Sequence, residues 1–307
     1  VMLWPHETHL RVPPSPLAGC EVGCVFLPPS PGLLGSADAV LIHVPSLDPR
    51  QPSLPPVRCP GQEWILLSQE SDSNYPLQAD PTFRSLFNRS MTFSFASDVP
   101  VLYADRPYLS GWRYGAAAGE KSDERAVVSV IGKCNSHSNR TEYLRELSRH
   151  IPVHHYGGCL RNKSPPDPPE VWNNMYGEAK LRLMAGYRFC IAFENSRHED
   201  YVTEKAFQAL AAGCVPIYDG APNARALLPH HSTLFVQDFA SPESLAFEIR
   251  RLLAHPEEYR AMLAWKDDPV QVGKLERLAA LGSDTGWCRL CQAIAREHPS
   301  SYATFQP

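Results

Sequence analysis

The sequence contains no apolar run long enough to span a bilayer and no segment with the pattern of a secretory signal peptide. It also lacks a strand-initiated Gly-x-Gly-x-x-Gly motif, which argues against a Rossmann dehydrogenase. Basic residues are not in excess, since the formal net charge is −4, and this argues against a nucleic-acid partner. The 307 residues, 43% hydrophobic and 20% charged, predict a globular protein of two modest domains.

Nine cysteines are present, an odd number that leaves at least one unpaired. Four of them form two close pairs, Cys20 with Cys24 and Cys288 with Cys291. Such pairs are compatible with zinc binding, redox activity or structural disulfides, and the four together could complete a zinc site. We favour structural disulfides in an oxidising compartment, with zinc as the open alternative. Sequons at Asn88 and Asn139 are compatible with the same compartment.

The clearest pattern lies in residues 187–223. The apolar run 187–193 predicts a buried parallel strand, and the segment 203–212 predicts a helix that Gly213 ends. A second strand is predicted at 214–218. Alternating strands and helices of this kind predict an α/β protein.

Polar residues follow the first of these strands. Glu194 and Asn195 come directly after it, and ligands bind outside the carboxyl ends of strands in open α/β sheets. Tyr201, Glu204 and Lys205 lie at the start of the predicted helix, where free N–H groups and the helix dipole favour an anion. The sequence therefore predicts a ligand that carries phosphate.

Two charged residues outside this stretch have a similar position. Glu70 follows a predicted strand at 64–68, a position that suits a general base, although a solvated loop glutamate is the more common finding. Arg140 lies in the first turn of a helix predicted at 139–150, and a binding role and an ordinary surface role are equally compatible with that place. Residues 104–124 are small, polar and charged, which is typical of a linker between domains.

The run FENS…EDYVTEK…AG.VP…GAPN resembles the donor-site motif of the α1,3/1,4-fucosyltransferases, glycosyltransferase family 10. The resemblance implies a GT-B fold, in which two Rossmann-like domains face a central cleft and a C-terminal helix returns to the first domain. It also implies an acceptor-binding domain at residues 1–121, a GDP-fucose domain at 122–280 and a C-terminal helix and tail at 281–307.

The resemblance assigns roles to individual residues. Glu70 matches the catalytic base, and the donor-binding positions are Arg140, Glu194, Asn195, Tyr201, Glu204 and Lys205. The sequence has no Asp-x-Asp triplet, on which many metal-dependent sugar transferases hold the diphosphate. We therefore expect no metal and no cofactor, with GDP-fucose as the donor substrate and cationic side chains on its diphosphate.

The motifs CEVGC, SDVPV, YGGC and CRLC look most like the plant enzymes that add α1,3-fucose to the innermost GlcNAc of N-glycans. This implies inverting transfer to an N-glycan or glycoprotein acceptor. A Lewis-type enzyme that acts on Gal-GlcNAc ends is the alternative, and a non-catalytic GDP-fucose or glycan-binding protein is the alternative of another class. The expected location is the Golgi lumen, as a type II membrane protein whose anchor precedes Val1.

Overall fold

In the computed structural model, the described residues are 1–4, 17, 19–27, 30–104, 121, 123–166 and 178–297. Contacts within the chain divide it into two compact units, one of residues 1–102 with 281–307 and one of residues 103–280. The division falls after residue 102 rather than after the predicted residue 121, and most of the predicted linker lies outside the described residues. No helix of the described part is long and apolar enough to cross a membrane.

All strands of the described residues belong to two sheets. In chain order they are β1 (Met2–Trp4), β2 (Ala39–His43), β3 (Glu63–Ser68), β4 (Arg89–Thr92), β5 (Asp123–Ser129), β6 (Val153–His155), β7 (Tyr187–Phe193), β8 (Val215–Asp219) and β9 (Leu234–Phe235). The α-helices are α1 (Pro81–Arg84), α2 (Arg140–His150), α3 (Glu178–Ala185), α4 (Glu204–Ala211), α5 (Ala224–Leu227), α6 (Pro242–Ala254), α7 (Pro256–Ala261), α8 (Pro269–Ala279) and α9 (Ser283–Glu297). Short 3-10 helices cover Pro31–Ser36, Val44–Ser46, Pro76–Ala79, Val236–Asp238 and Ala264–Asp267.

The first unit is built on a parallel sheet in the order β1-β2-β3-β4. Both faces of this sheet are buried, because Leu41 of β2 packs in one apolar cluster while its neighbours Val40 and Ile42 pack in another. This explains the continuous apolar run of β2, which is typical of a strand covered on both sides. Helix α9 contributes Leu290 and Ile294 to the first cluster.

The second unit is built on a parallel sheet in the order β6-β5-β7-β8-β9. The chain moves from β5 to β6 in one direction and then returns to β7 on the other side of β5. The strand order therefore reverses between β5 and β7, and ligands of open α/β sheets bind at such a reversal. One face of the sheet packs against α2 and α6, through residues such as Leu144 and Ile249. The other face packs against α3 and the end of α4, through Met184 and Ala209.

Several element predictions are confirmed and some are wrong. The strand at 187–193 is found with the predicted bounds, and Gly213 ends the following helix with a φ of 66°. Ser241 caps α6, as its place before Pro242 predicts. The apolar spacing of Tyr259, Met262 and Leu263 predicts a single helix over 256–266. That prediction is wrong, because α7 ends at Ala261 and a separate 3-10 helix covers Ala264–Asp267.

Candidate active site

Arg140 joins the loops that follow β5 and β7. Its Nη1 donates to the carbonyl of Phe193 at 2.8 Å, and its Nη2 donates to the carbonyl of Lys133 at 3.2 Å. Ser138 strengthens the same connection, since its hydroxyl donates to the carbonyl of Glu194 at 2.7 Å. The Arg140 side chain is buried, and burial lowers its pKa. In this arrangement the guanidinium holds the two strand ends of the sheet reversal in place.

Glu194 is fully buried and accepts three hydrogen bonds. Its Oε1 accepts from the backbone N of Thr203 at 2.8 Å, and its Oε2 accepts from the Thr203 hydroxyl at 2.7 Å and from Lys205 Nζ at 3.1 Å. Burial raises the pKa of this carboxyl, and the Lys205 charge and the Thr203 hydrogen bonds oppose that rise. The side chain of Thr203 forms no capping hydrogen bond to the first N–H groups of α4. Glu194 instead accepts a hydrogen bond from the backbone N–H of Thr203 at the start of this helix. The geometry gives Glu194 a positioning role.

Lys205 lies between two carboxylates. Besides Glu194 Oε2, its Nζ contacts Glu204 Oε1 at 3.3 Å and donates to Thr203 Oγ1 at 2.7 Å. Burial lowers the pKa of Lys205, but Glu194 and Glu204 offset this effect and raise the pKa above its ordinary value. The ammonium is therefore held in its charged form by protein groups.

Glu204 and Lys180 complete the charged cluster. Burial alone would raise the pKa of Glu204, but the charges of Lys205 and Lys180 lower it, so this carboxylate is ionised. Lys180 lies on α3, and burial lowers its pKa, with Glu204 opposing that shift. Both lysines line one small pocket of about 10 Å³, together with residues such as Met184 and Gln208.

Tyr201 and Asn195 hold the loop between β7 and α4. Tyr201 is buried, its ring packs edge-to-face on Tyr103 with centroids 6.2 Å apart, and its carbonyl accepts from the Tyr218 hydroxyl at 3.3 Å. Asn195 is half-buried, and its carbonyl accepts from the backbone N of Ser138 at 3.0 Å. Direct contact of Tyr201 or Asn195 with a donor stays a prediction.

The segment after β8 supports this loop from its other side. Arg197 forms a bidentate pair with Asp219, at 2.8 Å from Nε to Oδ1 and 2.6 Å from Nη2 to Oδ2. Asp200, whose φ is 65°, exchanges hydrogen bonds with the Asn223 side chain at 2.9 and 2.8 Å. This is the structural role of the GAPN motif, which begins at Gly220: it fixes the loop that carries the candidate donor residues.

Glu70, the predicted base, lies in the first unit, two residues after β3. Its Oε2 accepts from Asn74 Nδ2 at 2.9 Å, and its backbone is fixed by Ser68 and Gln78, the latter at 2.6 Å. Burial raises the pKa of the Tyr75 hydroxyl, and the charge of Glu70 adds to that rise, which places the two side chains close together. The carboxylate is therefore half-buried and oriented by Asn74, and its role as the base stays a prediction.

The four predicted cysteines form two disulfides, Cys20–Cys288 and Cys24–Cys291, which join the start of the first unit to α9. In this state their sulfurs are not available for zinc. Two further disulfides, Cys134–Cys159 and Cys190–Cys214, were not predicted from the sequence. The second of these encloses the whole segment from Glu194 to Lys205.

Two family models match the chain. "Fucosyltransferase, N-terminal" matches residues 1–104, and "Glycosyltransferase family 10 (fucosyltransferase) C-term" matches residues 120–306, more than half of the sequence. The chain belongs to glycosyltransferase family 10. The family predicted from the FENS…EDYVTEK pattern is thereby confirmed.

Individual relatives agree with this family membership. GDP-fucose protein O-fucosyltransferase 3 of Bos taurus is 37% identical over 225 residues, which cover 70% of this chain and 46% of that protein. Alpha-(1,3)-fucosyltransferase B of Drosophila melanogaster is 33% identical over 211 residues, which cover 65% of this chain and 48% of that protein. The chain spans about half the length of these curated relatives.

Solved structures of the family share the fold. An alpha1,3-fucosyltransferase with GDP gives a TM-score of 0.51 at 18% identity, with 74% of this chain and 68% of that chain covered. The structure with GDP-fucose gives 0.50 at 19% identity, with the same coverage. At such identities the likeness concerns the fold alone, and it confirms the predicted α/β fold of GT-B type.

Sequence reasoning assigned no individual role to four residues of the candidate site: Lys180, Arg197, Asp219 and Asn223. Asp219 and Asn223 are polar residues at or after the end of a strand, and the rule that drew attention to Glu194 could have found them. Lys180 had no comparable signal, because its place beside Lys205 depends on the packing of α3 against α4.

Proposed function

We propose that this protein transfers L-fucose from GDP-fucose to a hydroxyl group of a glycoprotein, with inversion at the anomeric carbon. The observation that carries the proposal is the match to family 10 together with a cluster of lysines and carboxylates at the reversal of strand order in the second unit. Anionic nucleotide ligands bind at this place in open α/β sheets.

The proposed chemistry needs a base and a stabilised leaving group. Glu70 removes the proton of the acceptor hydroxyl as it attacks, and the cations of the second unit balance the charge that builds on the β-phosphate of GDP. One displacement inverts the anomeric centre, so the β-linked donor gives an α-fucoside. The sequence lacks the Asp-x-Asp triplet on which many sugar transferases hold a metal, which supports diphosphate binding by side chains.

Two acceptors are supported by different observations. The resemblance to plant enzymes in the motifs YGGC and CRLC supports α1,3 transfer to the GlcNAc of an N-glycan core, with a Lewis-type acceptor as the alternative. The similarity to GDP-fucose protein O-fucosyltransferase 3 supports a second candidate, transfer to a serine or threonine hydroxyl of a protein. Both candidates use the same donor and the same base.

The disulfides support a proposal about the compartment in which the protein acts. Four disulfides within the described residues support an oxidising lumen of the secretory pathway, and we place the protein in the Golgi lumen. Localisation of the tagged full-length protein by microscopy tests this point.

The test of function is transfer of labelled fucose from GDP-fucose, with EDTA present, to a panel of acceptors. The panel contains N-glycan cores with a terminal or substituted GlcNAc, Gal-GlcNAc disaccharides and unglycosylated folded protein domains. Transfer that survives EDTA supports the metal-independent mechanism, and the preferred acceptor separates the candidates. A protein that binds GDP but neither transfers nor hydrolyses the donor would favour the non-catalytic binding protein.

A further inference from the structure

The sequence contains two acceptor motifs for N-glycosylation, whose asparagines have no part in the proposed transfer reaction. The first motif is Asn88-Arg89-Ser90 and the second is Asn139-Arg140-Thr141. Both asparagines are exposed in the folded protein. Motif and exposure therefore do not separate the two, and the difference between them lies in their places in the fold.

Asn88 lies at the amino edge of the first sheet. It directly precedes β4, and its backbone N donates to the carbonyl of Trp64, near the start of β3, at 2.8 Å. Glu70, the proposed base, follows the other end of β3. Because this strand has six residues that rise about 3.3 Å each, it keeps the two edges about 15–20 Å apart. A glycan on Asn88 therefore leaves open the carboxyl ends of the strands, where ligands of such sheets bind.

The side chain of Asn88 is held through its oxygen. Oδ1 accepts from the backbone N of Trp64 at 2.8 Å and also from Arg58 Nη2. Arg58 is itself fixed by the carbonyls of Gln62 and Leu86, at 3.2 and 3.0 Å. Within the residues that the structure describes, Nδ2 of Asn88 has no hydrogen-bond partner. An N-linked glycan is attached to this nitrogen and leaves the amide oxygen as an acceptor, so both hydrogen bonds persist in the modified protein.

Asn139 lies at the opposite kind of edge. It comes directly before α2, after the carboxyl end of β5, and has a φ of 55°. The residues on both sides of it belong to the candidate donor site. Ser138 donates to the carbonyl of Glu194 at 2.7 Å, and Arg140 donates to a carbonyl at the end of β7 at 2.8 Å. A glycan on Asn139 would therefore obstruct the place where the strand order reverses.

We propose that Asn88 carries an N-linked glycan and that Asn139 does not. The co-reactant is an oligosaccharide linked to a lipid through a diphosphate. Nδ2 of Asn88 forms a bond to the anomeric carbon of this oligosaccharide, the bond from that carbon to the diphosphate breaks, and one amide proton passes to a base of the transferring enzyme. The proposal rests on the proposed secretory compartment, and it does not depend on which acceptor this protein fucosylates.

The test is mass spectrometry of the full-length protein after expression through the secretory pathway of a eukaryotic host. Peptide N-glycosidase treatment in heavy-oxygen water converts a glycosylated asparagine to an aspartate with one heavy oxygen, which marks each occupied site. We expect this mark at position 88 in most molecules and no mark at position 139. On a gel, the glycosidase should increase the mobility of the wild-type protein by the equivalent of one glycan.

Two variants remove the first motif in different ways. Asn88→Asp keeps an acceptor oxygen for Trp64 and Arg58, and Ser90→Ala keeps Asn88 itself. Both should abolish the mobility change, whereas Ser90→Thr, which keeps the motif, and Asn139→Gln should retain it. Fucose transfer by Asn88→Asp should equal that of the wild type, because the glycan lies at the sheet edge away from Glu70.

The outcomes separate the glycan from the compartment. An unmodified Asn88 in a protein whose four disulfides have formed would overturn the proposal and leave the secretory compartment intact. An unmodified Asn88 together with free thiols at those cysteines would overturn both. A glycan on Asn139 in protein that transfers fucose would contradict the argument from the sheet edges.

Discussion

Replacement of Gly220 by alanine tests whether the segment after β8 fixes the donor loop. A Cβ atom at this position would lie 2.5 Å from Glu194 Cγ and 2.5 Å from the Tyr218 hydroxyl oxygen, far inside normal contact distance. Neither group can move without breaking buried hydrogen bonds. Glu194 is held by Thr203 and Lys205, and the Tyr218 hydroxyl accepts from the Ala221 backbone N at 2.9 Å.

The expected loss of stability combines three effects. Overpacking of a close-packed site costs about 1–3 kcal/mol, and a buried hydrogen bond left unmade costs about 1–3 kcal/mol. Alanine restricts the unfolded chain more than glycine does, which returns about 0.4–1 kcal/mol. We therefore expect Gly220→Ala to lower the free energy of unfolding by about 1–6 kcal/mol. The same change should weaken GDP binding, because the Glu194–Lys205 pair is displaced.

The assay is urea unfolding followed by fluorescence, with GDP affinity measured on the same preparations. Gly273→Ala is the matched control. Gly273 lies inside α8, where an added Cβ would meet no atom closer than Arg277 Nη1 at 3.5 Å, so alanine should stabilise the protein by up to about 1 kcal/mol. If Gly220→Ala is as stable as the wild type and binds GDP equally well, the supporting role of this segment is refuted.

Three further outcomes follow from the structure. Glu70→Gln should reduce kcat by about 10²–10⁴-fold. The control is Asp72→Asn, a change to a neighbouring half-buried carboxylate, which should have little effect on kcat. Equal losses in both variants would argue against Glu70 as the base. Replacing Cys190 and Cys214 together by alanine should lower the free energy of unfolding by about 3–4 kcal/mol, as expected for a loop of this length, and an unchanged urea midpoint would contradict it. Burial lowers the pKa of His155 in the folded state, so on acidification the unfolded state binds a proton first. The free energy of unfolding should therefore fall as the pH drops below about 6.5, the pKa of an unfolded histidine. His155→Phe should flatten this pH dependence in unfolding experiments between about pH 7.5 and 5.5.

Local patterns predicted the parts of the fold that local physics decides. The apolar run predicted the strand at 187–193, all seven residues of which are buried. Gly213 was predicted to end the helix because glycine tolerates the left-handed backbone conformation that it has there. Strands β1 and β4 were missed, since they have only three and four residues and β4 contains an arginine, a serine and a threonine. Helix α8 was missed although Asp268 caps it and Pro269 begins it, a signal that was available.

The candidate site shows where sequence reasoning ends. The residue types and their places at strand and helix ends predict an anion site, but they do not show which N–H groups are already used. Glu194 and Lys205 are 11 residues apart in the sequence, and only the fold brings their side chains together at 3.1 Å. Disulfide partners such as Cys134 and Cys159 are likewise set by the sheet and not by spacing.

The two disulfides between the ends of the first unit impose an order on biosynthesis. Cys20 and Cys24 cannot pair with Cys288 and Cys291 until nearly the whole chain has been made, whereas Cys134–Cys159 and Cys190–Cys214 can close while synthesis continues. The second unit can thus mature first, and the first unit waits with two thiols open to exchange. A chain released before residue 288 would keep those thiols, and a thiol–disulfide oxidoreductase could recognise it as incomplete by that property alone.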